Sequence, residues 1–231
     1  MYKRILLKIS GEALAGDQKH GINPERVEHI VSQIVELHSK GVEIGIVVGA
    51  GNFWRGRQGT NMERVTADQM GMLATVMNSL ALCDAIEKHG VPTRVQTALT
   101  MPSVAEIFVL RRALRHFEKG RIVIFACGTG NPYFSTDSGA ALRASEISAD
   151  ALLMAKNIDG VYTDDPRKNP NAVKIDEISY MDVVNKQLAV MDTASIVLCK
   201  ENNIPIIAFG LDEENGLIKA AMGENIGTII H

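Results

Sequence analysis

The sequence predicts an α/β fold, a mostly parallel sheet with helices on both faces. Two observations carry that prediction. Short apolar runs such as "VEIGIVV", "RIVIFAC" and "ALLMA" alternate with longer segments of helical spacing, the pattern of strands joined by crossover helices. Three of the runs open into glycine-rich turns, "SGEALAG", "GAGN" and "GTGNP". In open parallel sheets ligands bind beyond the carboxyl ends of the strands, so three such mouths on one edge point to one shared crevice.

Each element has its own signal. "YKRILLKIS" reads as the first strand. "NPERVEHIVSQIVELHSKG" is a helix with Asn23 as cap, Pro24 at its first position and Gly41 as its stop. Val27, Ile30, Val31 and Ile34 give it one apolar face. After the strand "VEIGIVV" a long helix is expected from Thr66, where Thr66 and Gln69 fit a capping box, through Met70, Leu73, Met77 and Leu80 towards Gly90. "TRVQT" and "RIVIFAC" are strands separated by a helix over "SVAEIFVLRRALRHFEKG". A helix from about Ser138, the strand "ALLMA" and a polar excursion from Lys156 to Asp176 follow. The tail holds a helix after "VMD", the strand "IPIIAF", a short helix and "GTIIH".

The bulk numbers exclude several classes. The 231 residues are 46% hydrophobic and 22% charged, ordinary for a globular protein with a substantial core. We read residues 1–231 as one domain, for no linker, repeat or low-complexity stretch divides them. A net charge of −3 argues against a nucleic-acid partner, which needs a basic face. No run approaches the length of a membrane span, and "MYKRILLKIS" is broken at Lys8, too early for a signal peptide. Cys83, Cys127 and Cys199 stand far apart in apolar settings, and the six His lack ligand spacing. A cytoplasmic protein without a structural metal is the expectation.

Two nucleotide signatures fail. "GEALAGD" has the glycine spacing of a P-loop, but Asp17 stands where lysine belongs and would repel phosphate. "GAGNFW" and "GTGNPY" put Trp54 and Tyr133 at the third glycine of a dinucleotide fingerprint. What remains is glycine with cations. Lys8 sits in the first strand just before Ser10 and Gly11, and a point charge beside backbone donors suits phosphate. Ordinary snorkelling of a strand-end lysine is the alternative. Arg55 in "GAGNFWRGR" offers a planar fork for an anion, though a turn arginine is usually just solvated. Asp68 suits either a helix N-terminus or ribose hydroxyls. Asn131, Ser135, Thr136 and Asp137 are polar beyond the needs of a turn, and Thr136 or Asp137 could equally cap the next helix. Asp192 could be a cap too, while Asp159, Tyr162, Asp164 and Asp165 lie in a polar loop where solvated charges are common. The residues taken together indicate a phosphate-handling crevice in which Lys8 neutralises charge on a transferring phosphoryl group.

"YKRILLKISGEAL", "GAGNFWRG", "DQMGMLATVMN", "GTGNPYFSTD", "DGVYTDDP" and "VMD" follow, in order and end to end, the motifs of the bacterial uridylate kinases of the amino acid kinase family, which this chain resembles. The resemblance implies a three-layer α/β/α sandwich around a mainly parallel sheet. It implies transfer of the ATP γ-phosphoryl to UMP, giving UDP and ADP with Mg²⁺, in pyrimidine biosynthesis. Lys8, Ile9, Ser10 and Gly11 would contact ATP phosphates, and Lys8, Arg55 and Asp137 would carry catalysis. Ala50, Gly51 and Arg55 would lie where the donor and acceptor phosphates meet. Asp68 would hold the UMP ribose, with Thr129, Gly130, Asn131, Pro132, Tyr133, Phe134, Ser135 and Thr136 wrapped around the nucleotide. Asn157, Tyr162 and Asp165 would contact the adenine side. Gly16, Asp17, Gln18, Lys19, His20 and Gly21 match a GTP-response loop. UTP inhibition and a homo-oligomer, a hexamer, are also implied.

Two departures accompany the match. Ala50 stands inside "GAGN" where the family more usually has a third glycine, a substitution that costs something only if φ is positive there. "AKNIDG" is one residue short, which leaves Lys156 and Asn157 as alternatives facing the adenine. A non-catalytic UMP or UTP sensor and another phosphotransferase of the same family are the competing readings. The presence of Lys8, Arg55 and Asp137 together favours a catalyst.

Overall fold

The computed structural model describes residues 1–54, 61–188 and 190–231. In chain order the elements are β1 (Arg4–Ile9), α1 (Gly11–Ala15) with a 3₁₀ turn at Gly16–Gln18, α2 (Pro24–Ser39), β2 (Glu43–Val48), α3 (Arg64–Lys88), β3 (Thr93–Thr97), β4 (Glu106–Ile107) and α4 (Leu110–Glu118). Next come β5 (Ile122–Ala126), α5 (Thr136–Glu146), β6 (Ala151–Lys156), β7 (Val161–Tyr162), β8 (Lys174–Ile175), β9 (Glu177–Ile178) and α6 (Tyr180–Asn185). The chain closes with α7 (Thr193–Glu201), β10 (Ile206–Gly210), α8 (Gly216–Met222) and β11 (Thr228–Ile230).

Among the described residues nine strands form one sheet in the order β4-β3-β5-β2-β1-β6-β10-β11-β9. Pairing is parallel except for β11, which runs antiparallel to β10. β7 and β8 make a separate antiparallel ribbon. Alternation along β1 assigns its side chains to two layers. Ile5, Leu7 and Ile9 join the core shared with α2, α3 and α8, whereas Leu6 joins the core shared with α4, α5 and α7. Lys8 therefore emerges on the Leu6 side, the side of α5. The central position of β1, between β2 and β6, puts Lys8 in the middle of the crevice edge.

Several sequence expectations are corrected. "SGEALAG" is a short helix rather than a plain glycine turn, because the Ser10 hydroxyl accepts from the Ala13 N–H and caps it. α3 begins at Arg64, without a side-chain cap at Glu63, so the Thr66–Gln69 box is unused. The stretch expected to be helical from Ser103 contains β4, and only Leu110–Glu118 coils. Glu106 and Ile107 are taken by pairing with Gln96 and Thr97 of β3. The cap of α5 is Ser135, one residue ahead of Thr136. Inside the polar excursion the β7–β8 ribbon forms, and β9 and α6 follow it unforeseen. Asn23 does cap α2. No described helix is long and apolar enough to cross a membrane.

Candidate active site

Two cavities flank the end of β1. The first, about 200 Å³, is lined by Ala50 and Gly51 after β2, by Arg64, Asp68 and Thr75 of α3, and by Cys127–Thr129, Asn131 and Phe134–Thr136 after β5. The second, about 470 Å³, lies on the β6 side between Lys156, Ala208, the β7 loop and Lys186–Leu188.

Lys8 and Asp137 meet near both: neither lines either one, but Thr136, beside Asp137, lines the first, and Lys156, whose ammonium feels both charges, lines the second. The Lys8 ammonium stands 2.9 Å from the Asp137 carboxylate, with both side chains largely buried. α5 delivers Asp137 because its cap residue sets the start of the helix: Ser135 Oγ accepts from the N–H groups of Asp137 and Ser138 at 3.0 and 3.2 Å. Gly139 brings α5 against the loop after β5, where a Cβ would stand 2.8 Å from Gly128 Cα. Ser135 in turn donates to Asp192, as does the Ser138 hydroxyl at 3.0 Å. The other Asp192 oxygen accepts from the Ser195 N–H at 2.9 Å and caps α7. Burial pushes the Asp192 carboxyl up, but the hydrogen bonds from Ser135, Ser195 and Ser138 outweigh it and hold it below the usual carboxylate range. Asp192 thus joins α5 and α7 at the crevice.

The loop after β5 is strained and then anchored. Cys127 and Tyr133 have φ of 65° and 71°, a region that non-glycine residues enter at a cost of roughly 1–3 kcal/mol. Thr75 Oγ1 accepts from the Cys127 N–H at 2.8 Å. Asp68 Oδ2 accepts from the Tyr133 N–H at 2.8 Å and from Arg64 Nε at 2.6 Å. The Arg64 guanidinium also lies over the Tyr133 ring at 5.3 Å. Tyr133 and Phe134 remain 65% and 54% exposed, apolar surface held open beside the first cavity.

On the other side, Lys156 lines the second cavity and donates its ammonium to the Val190 carbonyl. Burial pushes this ammonium below the usual lysine range, Asp137 pulls it back up and Lys8 pushes it further down. Asn157 is exposed and outside that lining, whereas Tyr162 and Asp165 belong to it. Of the two alternatives, only Lys156 lines this cavity. Tyr162 donates to Asp159 at 2.8 Å, and Lys174 stands 3.3 Å from the same carboxylate.

Thr129, Asn131, Phe134, Ser135, Thr136, Ala50, Gly51 and Asp68 line one cavity. Gly130, Pro132 and Tyr133 belong to the same loop but lie outside its lining. Ala50 is not among the positive-φ residues, so its methyl group costs nothing there. Ser10 and Gly11 start α1 next to Lys8 and Ile9. Gly16–Gly21 forms a surface turn with positive φ at Gly16, Lys19 and Gly21. Arg55 lies outside the described residues. Reasoning from sequence alone missed the Ser135–Asp192–Ser138 cluster, because those residues are 54 to 57 positions apart and no short motif spans them. Among the described residues no group of three or more His, Cys, Asp or Glu could hold a metal ion.

Comparison with known proteins gives the family. The model of the amino acid kinase family matches residues 3–209. The chain belongs to the amino acid kinase family. A UMP kinase from Bacillus anthracis is similar over 100% of this chain and 96% of that one, at 39% identity and a TM-score of 0.96. A UMP kinase from Ureaplasma parvum matches at 36% identity and a TM-score of 0.93, covering 100% of this chain and 99% of its own. A uridylate kinase from Archaeoglobus fulgidus is more distant, with 25% identity, a TM-score of 0.74 and coverage of 98% and 99%. The nine-stranded, mostly parallel sheet with helices on both faces is the fold of this family.

Proposed function

We propose that this chain transfers the γ-phosphoryl group of ATP to UMP, giving UDP and ADP. The observation that carries the proposal is the Lys8–Asp137 pair, standing near a polar cavity on the β2 side and a larger one on the β6 side. UMP occupies the first cavity, with its ribose near Asp68 and the loop Thr129–Thr136 around it. ATP occupies the second, its adenine near Lys156, Tyr162 and Asp165 and its phosphates reaching Ser10 and Gly11. Likeness to two UMP kinases over the whole chain supports the choice of substrate.

Chemically the site has little covalent work to do. Phosphoryl transfer relies on positioning and on neutralising the charge spread over the transferring group. Lys8 supplies that charge, and Asp137 fixes the direction of its ammonium. Arg55 is proposed as a second cation. UMP needs no strong base, because its phosphate is already mostly ionised at neutral pH. Mg²⁺ keeps several waters and binds chiefly through substrate phosphates, which fits a protein whose described residues offer no dedicated cage. Asp137 would orient the ion when bound, and the ion would supply positive charge to offset that of the phosphates.

We further propose a homo-oligomer, with a hexamer as the family expectation. Met70, Leu73, Met77 and Leu80 form a stripe on α3 that is 36% to 52% exposed. The opposite side of α3 buries Met72, Val76, Leu82 and Ile86. A helix that is apolar on both sides calls for a second partner. GTP activation through Gly16–Gly21 and UTP inhibition are proposals resting on the family resemblance. Three free cysteines fit a reducing cytoplasm. Turnover with UMP but not with other acceptors is the test; binding of UMP without turnover would favour the sensor reading.

A further inference from the structure

Two motifs behind the family resemblance, "GAGNFWRG" and "DQMGMLATVMN", contain asparagines to which no role has been given. The structure pairs them. Asn52 is 1% exposed and Asn78 0%. Asn52 Nδ2 donates to Asn78 Oδ1 at 2.9 Å, and Asn78 Nδ2 donates to Asn52 Oδ1 at 2.7 Å. Each amide spends its second N–H on a backbone carbonyl: Asn78 on Gly49 at 2.8 Å, Asn52 on Gly21 at 2.7 Å. Carbonyls only accept, so both nitrogens must face them and the orientation of the pair is fixed.

We infer that Asn52 and Asn78 are positioning residues for phosphoryl transfer, locking the backbone of Gly49–Gly51 that lies between the two substrates. The inference rests on the phosphoryl-transfer reading above. Gly49 is held at both ends, its N–H donating to the Ile9 carbonyl at 2.9 Å and its carbonyl accepting from Asn78. Asn52 is held by its side chain and by its carbonyl, which accepts from the Gly21 N–H at 3.0 Å. Ala50 and Gly51, between these anchors, line the first cavity. The Ser10–Gly11 start of α1 rests on the same pair, since a Cβ on Gly11 would come within 2.5 Å of Asn52 Oδ1. A buried polar network so fully satisfied specifies one arrangement of the loops around it. Misplacement of reacting groups by about 1 Å costs about 100-fold in rate, so this arrangement is what the chemistry needs.

The experiment is a double-mutant cycle on the full-length chain with Asn52→Ala, Asn78→Ala and the double variant, measuring kcat, both KM values, UMP affinity and Tm. Each single variant is expected to lose between about 10- and 100-fold in kcat, with UMP affinity held within about threefold. The double variant is expected to be no slower than the worse single variant, because an interlocked pair can be broken only once. Unchanged kcat in variants of lowered Tm would reduce the pair to a purely structural role and overturn the inference. Fully multiplicative losses would overturn it as well, for the two amides would then act separately. If Asn78→Ala does not fold, Asn78→Ser and Asn52→Ala carry the same reading. A wild-type chain without UMP turnover sinks the function proposal instead, so the two failures are distinguishable.

Discussion

The two cavities flank the same central strand, β1, yet their walls are held by different forces. The proposed acceptor cavity is framed by α3 and α5, and its loop is fastened by Asp68, Thr75 and the Ser135–Asp192–Ser138 cluster, groups that are half-buried or buried. The proposed donor cavity is walled by the β7–β8 ribbon, where Arg167 and Lys168 are largely solvated, Asp159 is half-exposed and Asp165 is 27% exposed. Hydrogen bonds to charged groups away from water are worth about 1.5–3 kcal/mol, whereas exposed ion pairs are worth about 0–1 kcal/mol. The proposed acceptor side is therefore fastened more firmly by its polar groups, and the proposed donor side owes its shape more to the ribbon backbone than to its charges.

That contrast sets a scale of effects. The largest is expected at Lys8, proposed to serve both sides. Lys8→Ala is expected to lower kcat by about 1,000-fold or more, the range for removing a cation that stabilises a phosphoryl transition state. UMP binding, followed by calorimetry, should stay within a few-fold. Collapse of UMP affinity with turnover retained would remove Lys8 from its role.

Asp68→Ala comes next. It frees the Tyr133 N–H and the Arg64 guanidinium together, and a loss of about 1.5–3 kcal/mol predicts a 10- to 100-fold rise in KM for UMP. KM for ATP should hardly move. An equal rise for both substrates would erase the distinction between the two sides.

Asp192→Asn tests the buried cluster through pH. The folded carboxyl titrates below its ordinary range, so the folded chain keeps this charge where the unfolded chain has protonated it. The stabilisation is thus fully present above the unfolded value of about 4 and is lost as pH falls through the lower folded value. Denaturant unfolding should show wild type more stable than Asp192→Asn at neutral pH, with the gap closing in acid. A gap that does not change with pH would contradict the ionised cluster.

The smallest effect is expected at the donor wall. Asp159→Asn weakens the Tyr162 and Lys174 contacts of a half-exposed carboxylate, so Tm should be almost unchanged and KM for ATP should change by less than about threefold. A large loss of ATP affinity would show that the ribbon depends on its charges after all.

The legibility of the molecule follows the same division. The central strands and the three glycine-rich mouths were readable because burial on both faces leaves continuous apolar runs, and glycine punctuates their ends. α2 was readable from Asn23, Pro24 and its apolar spacing. α3 was readable as a helix, with the side that faces the core left open: the stripe through Met70, Leu73, Met77 and Leu80 is exposed, while Thr75, Asn78 and Ser79 are buried. Polarity alone does not decide it, since those three bury hydrogen-bonding groups that meet Met72, Gly49 and Cys127 and the helix itself through Ser79. β4, β7, β8 and β9 are two residues each, and pairing across the sheet, which a linear pattern does not record, decides strands so short. Asp192 was readable as a cap, which it is for α7, but its bonds from Ser135 and Ser138 at the start of α5 were out of reach for the same reason.

The central claim is that Lys8 and Asp137 stand near a UMP cavity and an ATP cavity and support transfer between them. Its most direct test is ADP release from Mg-ATP with UMP, CMP, AMP or glutamate as acceptor, with and without GTP. Turnover with UMP, and little or none with AMP or glutamate, is the predicted result. Measurable UMP binding with no ADP release from any acceptor would contradict it.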